Sequence, residues 1–179
     1  MRLRGSTLIV RNSVEFACLF AAWWALLQAI DHKAASPLVL TTATLALAAV
    51  KTAFFGVENL RQLWMASVQN MPYWRFMLLM FVNMWQIMAS FALDYHLLYR
   101  LSSDCFAGVR ADLLGAPLVF EFFYYSALNF MFFGYGDITP QSIPAKLLTL
   151  TEITLAFVTV IFLLSDFISL KESLKRPPI

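Results

Sequence analysis

Charge is what this chain has least of. Only 13% of its 179 residues are Asp, Glu, Lys or Arg, about half the ~25% usual in a soluble domain. That shortage excludes a soluble globule. With 60% hydrophobic and 16% aromatic residues, the class is an integral membrane protein. A net charge of +2 is too small to point to nucleic acid as a partner. The two cysteines, Cys18 in an apolar run and Cys105 in a loop, form no metal pattern and are not expected to pair. The two histidines, His32 and His96, have no companions for a zinc site. No nucleophile stands at useful spacing from a base, so the chain is not expected to be an enzyme. No arginines recur every third residue in the first two apolar runs, which argues against a voltage sensor.

What is present is long apolar segments. A spanning helix needs about 20 mostly apolar residues. The first candidate runs from about Val14 to Ile30 and closes at Asp31-His32-Lys33. Arg2, Arg4 and Arg11 precede it as in a secretory signal, but its length, its two tryptophans and the lack of a small-residue cleavage site read as a retained span. The second runs from about Pro37 to Val57. The third is "YWRFMLLMFVNMWQIMASFALDYHLL", long enough to tilt. The last runs from about Pro144 to Leu170. Between the last two come a loop, Ser102 to Ala116, and an apolar stretch from Val119 to Met131, too short to span and suited to a re-entrant half-helix. The expected fold is therefore all-α, with four transmembrane helices plus a re-entrant pore helix and loop between the last two.

Orientation follows from the basic residues. With both termini in the cytoplasm, Arg2, Arg4, Arg11, Lys51, Arg61, Arg75, Lys171, Lys175 and Arg176 fall inside, and only Lys33, Arg100, Arg110 and Lys146 fall outside. The half-helix then enters from the outer face of a cell membrane. Thr44, Ala48, Thr52 and Gly56 recur every four residues, a small-residue stripe for close helix packing. "VENLRQLWMASVQN" has the pattern of an amphipathic helix on the inner interface, with Pro72 separating it from the third span.

The segment "FFYYSALNFMFFGYGDITP", Phe122 to Pro140, interrupts its own hydrophobicity with two glycines, a tyrosine and an acid. A dehydrated cation needs oxygen ligands, and successive backbone carbonyls supply them when the chain takes positive φ at alternate positions. Glycine permits that cheaply. One such strand lines only part of a ring, so several copies must close around an axis. The half-helix before it would present its negative dipole end to the cation.

At these residues the chain resembles the potassium-channel pore family, whose filter reads Thr-Val-Gly-Tyr-Gly. The likeness spans roughly Tyr73 to Leu170: outer helix, turret, pore helix, filter, inner helix. Ser126 lies eight residues before Gly134, Asp137 follows the filter, and Pro140 comes three later. The resemblance implies a filter at Phe132, Phe133, Gly134, Tyr135 and Gly136, supported by Asp137, Tyr124, Tyr125 and Glu152. Glu152 matches an acid seen in many two-helix bacterial members, and Lys146 a frequent basic position. The implied assembly is a homotetramer in a lipid bilayer passing a monovalent cation, potassium by likeness, with no other cofactor. A hetero-oligomer or larger membrane complex stays open.

Two departures stand out. Phe132 replaces the family's threonine, and Phe133 its valine. By family geometry Phe133 packs behind the filter and Phe132 faces the cavity, where four phenyl rings could form a dewetting constriction. The pore then conducts poorly, conducts with altered selectivity, or does not conduct. The alternative is a non-conducting, channel-derived structural or regulatory subunit of a membrane assembly. The hinge glycine of the inner helix is replaced by Ala156, and no glycine occurs between Lys146 and Leu170.

Three regions result: 1–72 with two spans and the interfacial helix, 73–170 as pore module, and a tail at 171–179. Of the intramembrane polar residues, Glu152 is expected in structural support, and Asp166 either concentrates cations or is solvated. Lys51 is expected to snorkel. Asn83 and Gln86 read as interhelical glue. Asp94 and His96 near the outer end resemble a pair, but solvated surface is the preferred reading.

Overall fold

The computed structural model describes residues 17–18, 20–68, 73–134 and 136–175, with side chains for all of these except 62–68, 73, 75, 76 and 165–175. Pro72, Tyr135 and the arginines at 2, 4, 11 and 176 lie outside the described residues. So do the side chains of Arg75, Asp166, Lys171 and Lys175.

Among the described residues there are five α-helices: α1 at 20–31, α2 at Pro37–Val68, α3 at Tyr73–Leu101, α4 at Ala116–Phe130 and α5 at Ile143–Lys175. Among the described residues three helical stretches are long and apolar enough to cross a membrane: Pro37–Arg61, Met77–Leu101 and Ile143–Leu164. The expected first span falls partly outside the described residues. The helix starts carry local signals. Ser36 caps α2 through Oγ to the Val39 N–H at 3.4 Å, ahead of Pro37 at the first helical position. Ser142 caps α5, accepting from the Ala145 N–H at 3.3 Å. Helix α4 opens on Gly115, whose φ is 63°.

Helix α2 does not break where the interfacial helix was expected to begin. It continues through Gly56 without a kink-forming proline and buries Glu58 and Asn59. Its contact face follows the small-residue stripe only in part: Thr44 and Ala48 are buried, Thr52 and Gly56 are not. Residues spaced by four advance 400°, so each step drifts 40° round the helix, and a Cβ placed on Gly56 would have nothing within 4 Å. The buried line runs Leu40, Thr44, Ala48, Lys51, Phe55, Asn59, steps of four with one step of three that brings it back to the same side.

That line brings Lys51 against α3. Its Nζ lies 2.6 Å from Asp94 Oδ1, and both side chains are buried. Lys51 therefore does not snorkel to an interface, and Asp94 is not solvated. A buried charge is tolerated only when paired, and each is the other's partner. His96 is buried too, on the opposite side of α3, with its ring 5.8 Å from Trp23 of α1. Arg100 closes the α1–α3 contact with Asp31 at 2.6 Å.

The bundle core joins α2, α3, α4 and α5 around Phe91, Tyr95, Phe122, Tyr125, Leu148 and Ala156. The turret between α3 and α4 is partly ordered by pairing. A short 3-10 turn, Ser103–Cys105, leads into β1 (Phe106–Ala107), which pairs antiparallel with β2 (Thr139–Pro140). Cys105 carbonyl accepts from the Gln141 N–H at 2.8 Å. The loop before α4 is thus stitched to the strand that comes after the glycine segment.

Candidate functional site

Helix α4 is 15 residues long, about 22 Å at 1.5 Å per residue, short of the ~30 Å hydrocarbon thickness. It sits between α3 and α5, with Leu118, Phe122, Tyr125, Ser126, Asn129 and Phe130 buried. Its last turn sets the path of the glycine segment. The Phe133 N–H donates to Leu128 O at 3.0 Å and the Phe132 N–H to Asn129 O at 3.1 Å. This pair is the Schellman arrangement, which needs a left-handed residue next to the helix end. Phe132 fills it with φ 59°. Helix α1 closes the same way on Lys33, φ 51°, with Ala34 N–H to Ala29 O at 2.9 Å. A non-glycine residue there costs about 1–2 kcal/mol, so both caps hold because the surrounding helix contacts fix them.

Two residues on, Gly134 has φ 70°. The chain therefore leaves α4 with positive φ at alternate positions, 132 and 134. The side chains around this turn are open. Phe132 is 47% exposed, Phe133 73% and Met131 54%. Within the chain Phe133 does not pack behind the loop. Among the described residues, no element of the same chain covers it. Phe132 meets the ring of Phe157 on α5 edge-on, 6.4 Å between centroids. Gly136 approaches Leu128: a Cβ there would lie 2.8 Å from Leu128 Cδ1. Asp137 is exposed, while its backbone carbonyl presses on the turret. A Cβ on Gly108, φ 87°, would meet Asp137 O at 1.7 Å. Only glycine fits at 108.

Behind the loop lies a buried polar network. Glu152 of α5 is fully buried. Its Oε2 accepts from the Tyr95 hydroxyl of α3 at 2.6 Å, and its Oε1 is bonded by the Ser126 hydroxyl of α4. Ser126 Oγ also reaches Met88 carbonyl at 2.9 Å. Tyr125 bonds Thr149 Oγ1 at 3.0 Å. Thr149 gives its own hydrogen to Ala145 O at 2.9 Å, so Tyr125 is the donor. Tyr124, the other member of the expected aromatic pair, is half exposed, and its ring edge lies beside the glycine segment: a Cβ on Gly136 would be 3.8 Å from Tyr124 Cε1. Around Tyr95 and Tyr125, ring centroids 4.9 Å apart, Phe106 and Phe122 close an edge-to-face cluster. Ala156 is fully buried in an unbroken α5.

The structure thus gathers Tyr125, Ser126 and Glu152 behind α4 and leaves Phe132, Phe133, Gly134 and Asp137 open. Sequence reasoning missed Tyr95, Phe106, Phe122 and Gly108. A buried acid on α5 needed a donor from a facing helix, and Tyr95 was a hydroxyl available on α3. Gly108 gave no local signal, since the carbonyl that excludes a side chain lies 29 positions away in sequence, at 137.

A helix too short to span lies between two helices long and apolar enough to cross a membrane and is followed by a glycine turn, an arrangement that suits an ion-channel-like membrane protein. Among known proteins, a family model described as ion channel matches residues 98–172, from the end of α3 through α4, the loop and most of α5. Over that stretch the chain is similar to that ion-channel family. Neither a curated protein nor a solved structure matches it.

Proposed function

We propose that the chain is a pore subunit of a monovalent-cation channel of the potassium type. Four copies close around an axis, the carbonyls of Phe132 to Gly136 line the path, and Asp137 stands at its outer end. Four spans with both termini cytoplasmic, and a pore module over 73–170, complete the reading. The observation that carries it is the turn itself. Positive φ at Phe132 and Gly134, held on a buried α4, leaves backbone and apolar side chains open where the described residues of this chain offer nothing to cover them. Copies of the same surface around an axis would bury Phe133 and Met131.

One observation favours a second reading, a non-conducting channel-derived subunit of a membrane assembly. Phe132 sets a phenyl ring against Phe157 on the inner helix, and such rings repeated round an axis make a hydrophobic plug.

Rubidium uptake into liposomes containing the purified chain tests both, with Phe132→Gly alongside. Glycine removes the ring and suits the φ of 59°. Uptake by the parent supports a conducting pore. Uptake only in the variant identifies a pore closed by its own phenyl rings. Silence in both, in an assembly that is not four-fold, leaves the accessory reading.

A further inference from the structure

The pore module ends at α3, yet α2 lies against α3 and α5. Two polar junctions hold it there. The Lys51–Asp94 ion pair fixes α2 to α3 at one level. Two turns further along α2, Asn59 is fully buried between both helices. Its Oδ1 accepts from Asn83 Nδ2 of α3. Its Nδ2 donates to Thr159 Oγ1 of α5 at 2.7 Å. Thr159 gives its hydroxyl hydrogen to Leu155 O at 2.8 Å. The donors therefore run in one direction, Asn83 to Asn59 to Thr159 to Leu155.

The position of this chain of bonds is informative. Helix α5 has 33 residues, Ile143–Lys175, and Thr159 is its midpoint. The half before Thr159 carries Glu152 and abuts the loop. The half after it lies beyond the reach of the Glu152 network. Thr159 lies one turn beyond Ala156. Movement of the distal half of α5 away from α2 would separate Thr159 from Asn59, while the Glu152 contacts lie on the other half. Release leaves Thr159 satisfied by Leu155 O, so one donor alone, Asn59 Nδ2, has to find water or another acceptor.

We propose that Asn59 is a latch: through Thr159 it holds the distal half of α5 in the position seen, and its release is the movement that opens the pore. Asn59 acts as a positioning residue and touches no ion. Helix α2 thereby has a task, to transmit a stimulus to the inner helix while α3 holds it in register. The inference rests on the channel reading for its consequence but not for its geometry, and the test separates the two.

The test pairs Thr159→Val, which keeps the shape and removes the oxygen, with Thr159→Ser, which keeps the oxygen. Asn59→Leu is the control from the other side. Backbone hydrogen exchange in liposomes is followed by mass spectrometry, comparing peptides from the distal half of α5 with peptides from α4. Losing one interhelical bond within a membrane shifts a local opening equilibrium by about threefold on average. Thr159→Val and Asn59→Leu should raise exchange in distal α5 by about that factor and leave α4 unchanged, and Thr159→Ser should match the parent. No change in Thr159→Val, an equal rise in α4, or failure of Thr159→Ser to restore the parent rate overturns the latch. Rubidium uptake is then read on the same samples. A parallel rise in Thr159→Val supports the latch as a gate. Uptake by the parent that Thr159→Val leaves unchanged overturns it as a gate. Local exchange that changes while every variant stays silent supports the latch and counts against the conducting reading alone.

Discussion

Replacing Glu152 gives the sharpest separation between a carboxylate that matters for its hydrogen bonds and one that matters for its charge. The side chain is fully buried and sits where α3, α4 and α5 meet. In Glu152→Gln the amide oxygen can accept from the Tyr95 hydroxyl, and the amide nitrogen can donate to Ser126 Oγ. Ser126 then gives its own hydrogen to Met88 O, which it already reaches at 2.9 Å. Every group keeps a partner, so the expected change is under about 0.5 kcal/mol. In Glu152→Leu, Ser126 again keeps Met88 O, but the buried Tyr95 hydroxyl loses the carboxylate acceptor it now holds at 2.6 Å. One orphaned buried donor costs about 1–3 kcal/mol. For a chain of this size that is a fall in Tm of about 2–12 °C. Adding Tyr95→Phe to Glu152→Leu removes the orphan and should recover most of the loss, so the two changes are strongly non-additive. Thermal unfolding of the purified protein in detergent, followed by near-ultraviolet circular dichroism, reads these three variants and Tyr95→Phe alone. A Glu152→Gln protein as damaged as Glu152→Leu would refute the reasoning, because it would make the charge rather than the bonding essential.

Lys51→Met should cost about 3–5 kcal/mol by leaving Asp94 buried and unpaired, whereas Lys51→Met with Asp94→Leu should cost less than the single change; denaturant titration in mixed micelles measures both. Gly108→Ala should separate β1 from β2, since its Cβ would stand 1.7 Å from Asp137 O; the backbone strain alone is worth about 1–3 kcal/mol. Size-exclusion recovery after heating should fall for Gly108→Ala and not for Ala107→Ser at the exposed neighbour.

Much of this architecture was legible because membranes simplify the reading. Long apolar runs located α2, α3 and α5, and the short run at 119–131 located α4 within a few residues. The glycine pair marked the turn after it. What the sequence hid lay in pairings between helices. Lys51 and Asp94 are 43 positions apart, and each alone looks like an interfacial or solvated charge. Only the packing of α2 on α3 shows that they neutralise one another. Asn59 sat inside a pattern that read as amphipathic, and its partner Thr159 is 100 residues away. The stripe of small residues on α2 was right at Thr44 and Ala48 and wrong at Thr52 and Gly56, because spacing by four winds off a contact face that a step of three restores. Phe132 was noticed for the ring it places in a pore. Its backbone role as the left-handed cap of α4 shows only in the hydrogen bonds of the last turn. That role separates the two consequences of replacing it: threonine would remove the ring but strain the cap, whereas glycine removes the ring and relaxes it.

The central claim is that the turn after α4 meets its own copies around a common axis. Spin labels on Phe133→Cys, in a Cys18→Ser background reconstituted into liposomes, measure this directly by dipolar spectroscopy. A four-fold ring places labels at the corners of a square, so two distances should appear, the longer about 1.4 times the shorter. A single distance, or no coupling between copies, would contradict the account.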